Sequence, residues 1–134
     1  MSPPATDKSS MRDPLARARG LGSAKDGVHH WWMQRLTAIA LALLSPWFIW
    51  LLVSLIGATQ ADVRATIANP RCALPLLAFV LALFWHAKLG LQVVIEDYVH
   101  MRWIEVTLQI AMTFACALGA LACVFGIARI VFMP

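Results

Sequence analysis

The sequence predicts an all-α membrane protein with three transmembrane helices. Composition is the first reason. Of 134 residues, 60% are hydrophobic and 13% charged, whereas soluble domains average roughly 45–50% apolar and 25% charged. Segment length is the second. Three stretches, 31–56, 72–95 and 103–132, each reach the ~20 predominantly apolar residues that a helix needs to cross the hydrocarbon core. The third is the shortness of the joining segments, 57–71 and 96–102, which makes successive helices antiparallel neighbours.

The elements follow in chain order. Residues 1–27 form a basic tail, in which Lys8, Arg12, Arg17, Arg19 and Lys25 meet only Asp7, Asp13 and Asp26. Its Pro, Ser, Ala, Gly and charge content predicts disorder over much of its length, and it holds no apolar core of a cleavable signal peptide. A basic tail alone is compatible with nucleic acid. Beside a membrane span it marks the cytoplasmic side instead, so no nucleic-acid partner is expected. Three crossings of an inner membrane then carry the C-terminus to the periplasm. The 57–71 connection lies on that outer side and carries Arg64 and Arg71 against Asp62.

Residues 28–134 form the anchor domain. Trp31 and Trp32 read as interfacial anchors of the first span. Pro46 is expected to kink that span, and Pro75 to sit in the opening turn of the second. In the third, Met112, Cys116, Gly119, Cys123 and Gly126 recur at three- and four-residue steps, a narrow seam of mostly small residues for helix packing. Three cysteines cannot close a disulfide set, and Cys72, Cys116 and Cys123 are expected to act as small packing residues.

His86 is the most informative residue. It lies near the middle of the second span, where an imidazole is costly unless it is paired, faces a cavity or binds a metal. Ala78, Ala82, His86 and Gly90 recur every four residues and share a helix face. Such a stripe admits a flat macrocycle or another helix. From spacing, a haem ligand and a histidine that hydrogen-bonds a neighbouring helix both remain open.

Asp97 and Tyr98 lie eleven and twelve residues further on, roughly 16–18 Å along a helix at 1.5 Å per residue. They fall in an acidic, aromatic turn at the water surface. A tyrosine hydroxyl there can donate to a quinone carbonyl, with the helix tops forming a channel for the tail. It can equally be an aromatic-belt residue beside a capping aspartate. Arg35, one turn into the first span, either snorkels or pairs with a carboxylate such as a haem propionate. Lys88 lies on a different side of the helix from His86 and is a charge without an assigned role.

The pattern His86-x-x-x-Gly90-x-x-x-Val94-x-Glu96-Asp97-Tyr98-Val99 resembles the second membrane helix of the smaller hydrophobic anchor of succinate dehydrogenase (respiratory complex II). The stretch 23–38, Ser-Ala-Lys-Asp-Gly-Val-His-His-Trp-Trp-Met-Gln-Arg-Leu-Thr-Ala, is similar to the start of the first helix in the same family. The resemblance covers roughly residues 20–132. It implies a chain that is part of a heteromeric helix bundle and that partners a second haem-binding anchor, an iron–sulfur subunit and a flavoprotein. It implies that His86 is an axial ligand of a haem b, with the second histidine supplied by the larger anchor. It places Tyr98 at the ubiquinone head group with Asp97 beside it, and His29 near the haem propionates with Arg35. His30 doubles the motif histidine and leaves open which of the two acts.

The implied role is a membrane-anchoring subunit of succinate:ubiquinone oxidoreductase, not catalytic alone. No nucleotide-binding loop and no cysteine cluster for an iron–sulfur centre is evident. Two other readings compete: the anchor of a related fumarate reductase, and a haem-free structural or transport subunit in which His86 and Lys88 line a polar path.

Overall fold

The structure is a computed structural model in which residues 25–133 are described. The predicted disorder of the tail falls on residues outside that range. Four helices occur among the described residues: α1 (Lys25–Ser54), α2 (Gln60–Ala68), α3 (Pro70–Tyr98) and α4 (Arg102–Phe132). Three of them, α1, α3 and α4, are long and apolar enough to cross a membrane. The expected fold class therefore stands.

Four local expectations need correction. The 57–71 connection, read from sequence only as a short joining segment, contains a helix of its own, α2. Thr59 caps that helix through a reciprocal capping box with Asp62, in which each residue satisfies a backbone N–H that the helix start leaves unpaired. Gly57, at φ 80°, takes the left-handed turn that lets the chain leave α1.

The second correction concerns Pro75. Helix α3 starts at Pro70, with Asn69 accepting from the Arg71 N–H. Pro70 thus fills the first-turn position that suits proline, and Pro75 lies inside the helix. Third, Glu96, Asp97 and Tyr98 form the last helical turn of α3, not a turn beyond it, and the reversal to α4 falls on 99–101. Fourth, α1 begins at Lys25, earlier than expected; Pro46 lies inside it, as the sequence placed it.

Helix α3 is central. It packs against α1 on one side and α4 on the other, whereas α1 and α4 do not touch each other. Gln34 lies by Gly90, Thr37 by His86 and Phe48 by Phe79, so α1 and α3 run antiparallel. The stacked Phe48 and Phe79 rings, 4.4 Å apart, form the middle of that interface, with Leu51, Cys72 and Ala73 buried towards the α2 end. Against α4, the ring of Phe84 covers Gly119 so closely that a Cβ there would lie 2.6 Å from it.

The predicted seam on α4 is real at Gly119 and ends before Gly126, where a Cβ would meet nothing within 4 Å. Cys72 is buried, Cys116 is half-buried and Cys123 is exposed. Among the described residues no side chain is fully buried, and rows of Leu, Ile, Phe and Trp line the outside of α1 and α4. A three-helix layer of this kind leaves broad apolar faces for lipid and for other helices.

Candidate functional site

The polar residues of the spans collect at one end of the layer, where α1 begins and α3 ends. Helix rotation decides which of them face inwards. Successive residues point about 100° apart on a helix, so adjacent His29 and His30 cannot both face α3. His30 does, half-buried, and lines a cleft between α1 and α3, while His29 is exposed. Trp31, Gln34 and Arg35 join His30 from α1, and Gly90, Gln92, Val93 and Glu96 come from α3. The cleft has a volume of about 620 Å³.

Its wall is incompletely paired. The Nε2 of His30 and the Oε1 of Gln34 are buried without a hydrogen-bond partner among the described residues. Buried polar groups normally find partners, so an orphaned pair calls for a water, a ligand or a further chain. The Arg35 guanidinium lies 5.0 Å from the centroid of the Trp31 ring, a cation–π contact that holds the side chain but leaves its donors free. Arginine and an imidazole N–H are the groups that bind a carboxylate well.

Deeper along α3 is His86, half-buried. Its Nδ1 lies 3.0 Å from the Thr37 hydroxyl of α1. Among the described residues Nε2 makes no hydrogen bond, and it is not enclosed by this chain. The stripe of small residues therefore serves α1 in part: Gly90 gives Gln34 room, with a Cβ position 3.7 Å from the Gln34 amide nitrogen. Both readings of His86 meet here, since one ring nitrogen bonds a neighbouring helix and the other is left open.

A free imidazole nitrogen of this kind is the donor that a haem iron takes from histidine. Among the described residues no group of three or more His, Cys, Asp or Glu is placed to hold a metal ion. A metal held through His86 thus draws its other ligands from elsewhere.

Tyr98 and Asp97 end α3 on its exposed surface, with Tyr98 79% exposed. Neither lines the cleft that holds His30 and Arg35. The structure brings together His30 and Arg35, and sets His86 against Thr37. It leaves His29, Asp97 and Tyr98 facing outwards at the same end. Lys88 is half-buried and has no partner among the described residues.

Sequence reasoning missed Thr37, Gln34, Gln92 and Gln109. The Glu96 carboxylate accepts from Gln92 Nε2 at 2.9 Å and from Gln109 Nε2 at 3.3 Å, which ties the end of α3 to α4. The available signal was polarity at helical spacing: Gln34 and Thr37 are polar residues three apart within an apolar span.

These features define a class, an integral membrane helical subunit with an open imidazole inside a span and an unpaired polar cleft at one end. Comparison with known proteins narrows it. Residues 9–127 match the succinate dehydrogenase/fumarate reductase transmembrane subunit family, and the chain belongs to that family.

Three named relatives illustrate the range. A succinate dehydrogenase hydrophobic membrane anchor subunit of Rickettsia bellii (strain RML369-C) is 39% identical over 119 residues, 87% of this chain and 93% of the relative. One from Paracoccus denitrificans is 32% identical over 116 residues, 87% of this chain and 89% of the relative. A succinate dehydrogenase membrane anchor subunit of Reclinomonas americana is 37% identical over 83 residues, 57% of this chain and 66% of the relative.

Proposed function

We propose that this chain is a membrane-anchoring subunit of a succinate dehydrogenase, contributing to catalysis only within its complex. The family includes fumarate reductase subunits as well; the names of the relatives support the succinate dehydrogenase side. On this reading the end bearing the cleft faces the cytoplasm and docks the iron–sulfur and flavoprotein subunits. The helices cross the inner membrane with the N-terminus cytoplasmic and the C-terminus periplasmic. The excess of Lys and Arg before α1 supports this orientation.

His86 would hold a haem b through its free ring nitrogen, with a second histidine from another anchor subunit. The observation that carries this is an imidazole inside a span with one nitrogen engaged by Thr37 and the other free. When bound, the haem would supply a one-electron redox centre. Arg35 and His30 bind its propionates from the cleft. His30 answers the doubled motif because it lines the cleft with an unpaired Nε2, whereas His29 is exposed. Tyr98 donates a hydrogen bond to a ubiquinone carbonyl, and Asp97 orients it and exchanges protons with water. Their outward position is what a site completed by neighbouring subunits requires.

Purification in mild detergent tests the reading. The wild-type chain should bring down flavin- and iron–sulfur-containing subunits with a reducible b-type absorption band. His86→Ala should lose or shift that band while the chain stays in the membrane. An unchanged spectrum and haem content would strike His86 from the ligands, and the absence of flavin from the purified complex would remove the anchor role.

A further inference from the structure

The geometry points to Thr37 as a positioning residue for the haem ligand. Its hydroxyl holds His86 in the tautomer that carries hydrogen on Nδ1 and so presents the Nε2 lone pair to iron. The inference rests on the haem reading above.

Thr37 Oγ1 has three polar neighbours. The Met33 carbonyl oxygen is at 2.9 Å, the Gln34 carbonyl oxygen at 3.1 Å and His86 Nδ1 at 3.0 Å. A hydroxyl has one hydrogen and two lone pairs. Carbonyl oxygens only accept, so the hydrogen is directed to the backbone, the usual arrangement for a helical threonine. What remains for His86 is a lone pair, and Nδ1 must then be the donor.

The opposite assignment fails on the same distances. If the hydroxyl donated to Nδ1, its lone pairs would face two carbonyl oxygens within hydrogen-bonding distance and with no hydrogen between them. A neutral imidazole with hydrogen on Nδ1 carries its lone pair on Nε2. The two ring nitrogens diverge, so Nε2 points away from the bond to Thr37.

Two further observations favour a positioning role. Thr37 is the only buried polar side chain among the described residues, at 9% exposure. Access of water to its hydroxyl is therefore limited. And α1 supplies this contact from a position 49 residues away in sequence, so the ring orientation depends on how α1 and α3 dock. An acceptor on Nδ1–H also makes Nε2 more basic, which favours the oxidised iron.

The test uses the purified complex. Thr37→Val keeps the β-branched shape and deletes the hydroxyl, leaving Nδ1–H without its acceptor. The haem midpoint potential should rise, and haem affinity should fall about ten- to a hundredfold, the usual cost of losing an outer partner of a metal-binding histidine. Redox titration and the haem-to-flavin ratio after detergent washing read both. Thr37→Ser keeps the hydroxyl and should match wild type in both. A role confined to packing predicts the reverse order, with valine close to wild type and serine impaired. That order, or a wild-type potential and haem content in Thr37→Val, overturns the proposal.

Should the valine complex fail to assemble, Thr37→Ser and Thr37→Ala make the same comparison. A raised potential in the alanine complex alone supports the proposal, and equal potentials overturn it. His86→Ala separates the two readings. If its spectrum is unchanged, the ligand assignment falls and Thr37 with it. If its band is lost while Thr37→Val behaves as wild type, only Thr37 falls.

Discussion

The two ends of the helix layer differ in how they treat polar groups. At the α2 end each polar contact closes locally. Asp62 accepts from the Thr59 hydroxyl and N–H, Thr66 donates to the Asp62 carbonyl, Asn69 caps α3 and Ser54 donates to the Leu51 carbonyl. At the other end His30 and Gln34 have buried atoms without partners, and Arg35 meets only the face of an indole. Self-contained pairing is what a connection between helices needs. Open pairing inside a membrane is costly and persists where something else completes it. The contrast lies in the α1–α3 cleft wall, since Glu96 at the same end is paired with Gln92 and Gln109, and it supports the reading of that cleft as a site other groups complete.

Apart from the Thr37–His86 contact, the middle of the layer is held by apolar packing. Gly119→Val breaks that middle and should have the largest effect. A Cβ at Gly119 would lie 2.6 Å from Phe84 Cε1 and 2.8 Å from Cζ. Overpacking of this kind costs about 1–3 kcal/mol or more. The chain should accumulate several-fold less in the membrane, and Phe84→Ala in the same chain should recover most of it by vacating the space. Wild-type accumulation of the single variant would show that α3 and α4 are held by something other than this contact.

Tyr98→Phe probes the open end more finely. It deletes one hydroxyl and keeps the ring, so anchoring at the interface persists. A hydrogen bond to a neutral carbonyl is worth about 0.5–1.5 kcal/mol net, which is about a two- to tenfold loss in rate at 1.36 kcal/mol per decade. Quinone reduction should fall by that factor or more. Succinate oxidation by an artificial dye, which takes electrons upstream, should not change. Equal quinone reductase activity at matched dye activity would return Tyr98 to the aromatic belt.

How much was legible in the sequence follows from the range of each signal. The three spans were readable because hydropathy and length act within one segment. Helix α2 was not, since nine residues without a strong apolar stripe resemble a loop. Its cue was chemical: Thr59-x-x-Asp62 before it and Asn69-Pro70 after it are a helix start followed by another helix start. His86 was legible as an anomaly because a mid-span imidazole needs a reason. Its partner Thr37 was not, because pairing across 49 residues depends on the docking of two helices. Which of His29 and His30 faces α3 likewise needed the rotation of α1, which no motif encodes.

The smallest effect is expected at the closed end, and it tests whether that end is only structural. Thr59→Ala removes the hydroxyl that caps α2, a change that costs about 0.5–2 kcal/mol of helix stability in general. Amide exchange over 59–66 should quicken while haem content and quinone reduction stay at wild-type values.

Acid should act on the same cap in the unaltered chain. Hydrogen bonds from the Thr59 side chain and then its N–H hold the Asp62 carboxyl below the usual carboxylate range. A folded-state pKa lowered in this way contributes stability above the unfolded value, at about pH 4. That contribution is lost as the pH falls through the folded value. Protection of the α2 amides, measured against their intrinsic exchange rates at each pH, should therefore fall on acidification below about pH 4 in the wild type, and Thr59→Ala should flatten that dependence. A loss of quinone reduction in Thr59→Ala, with the complex intact, would mean that the two ends are coupled through α3 and that local pairing does not mark a purely structural region.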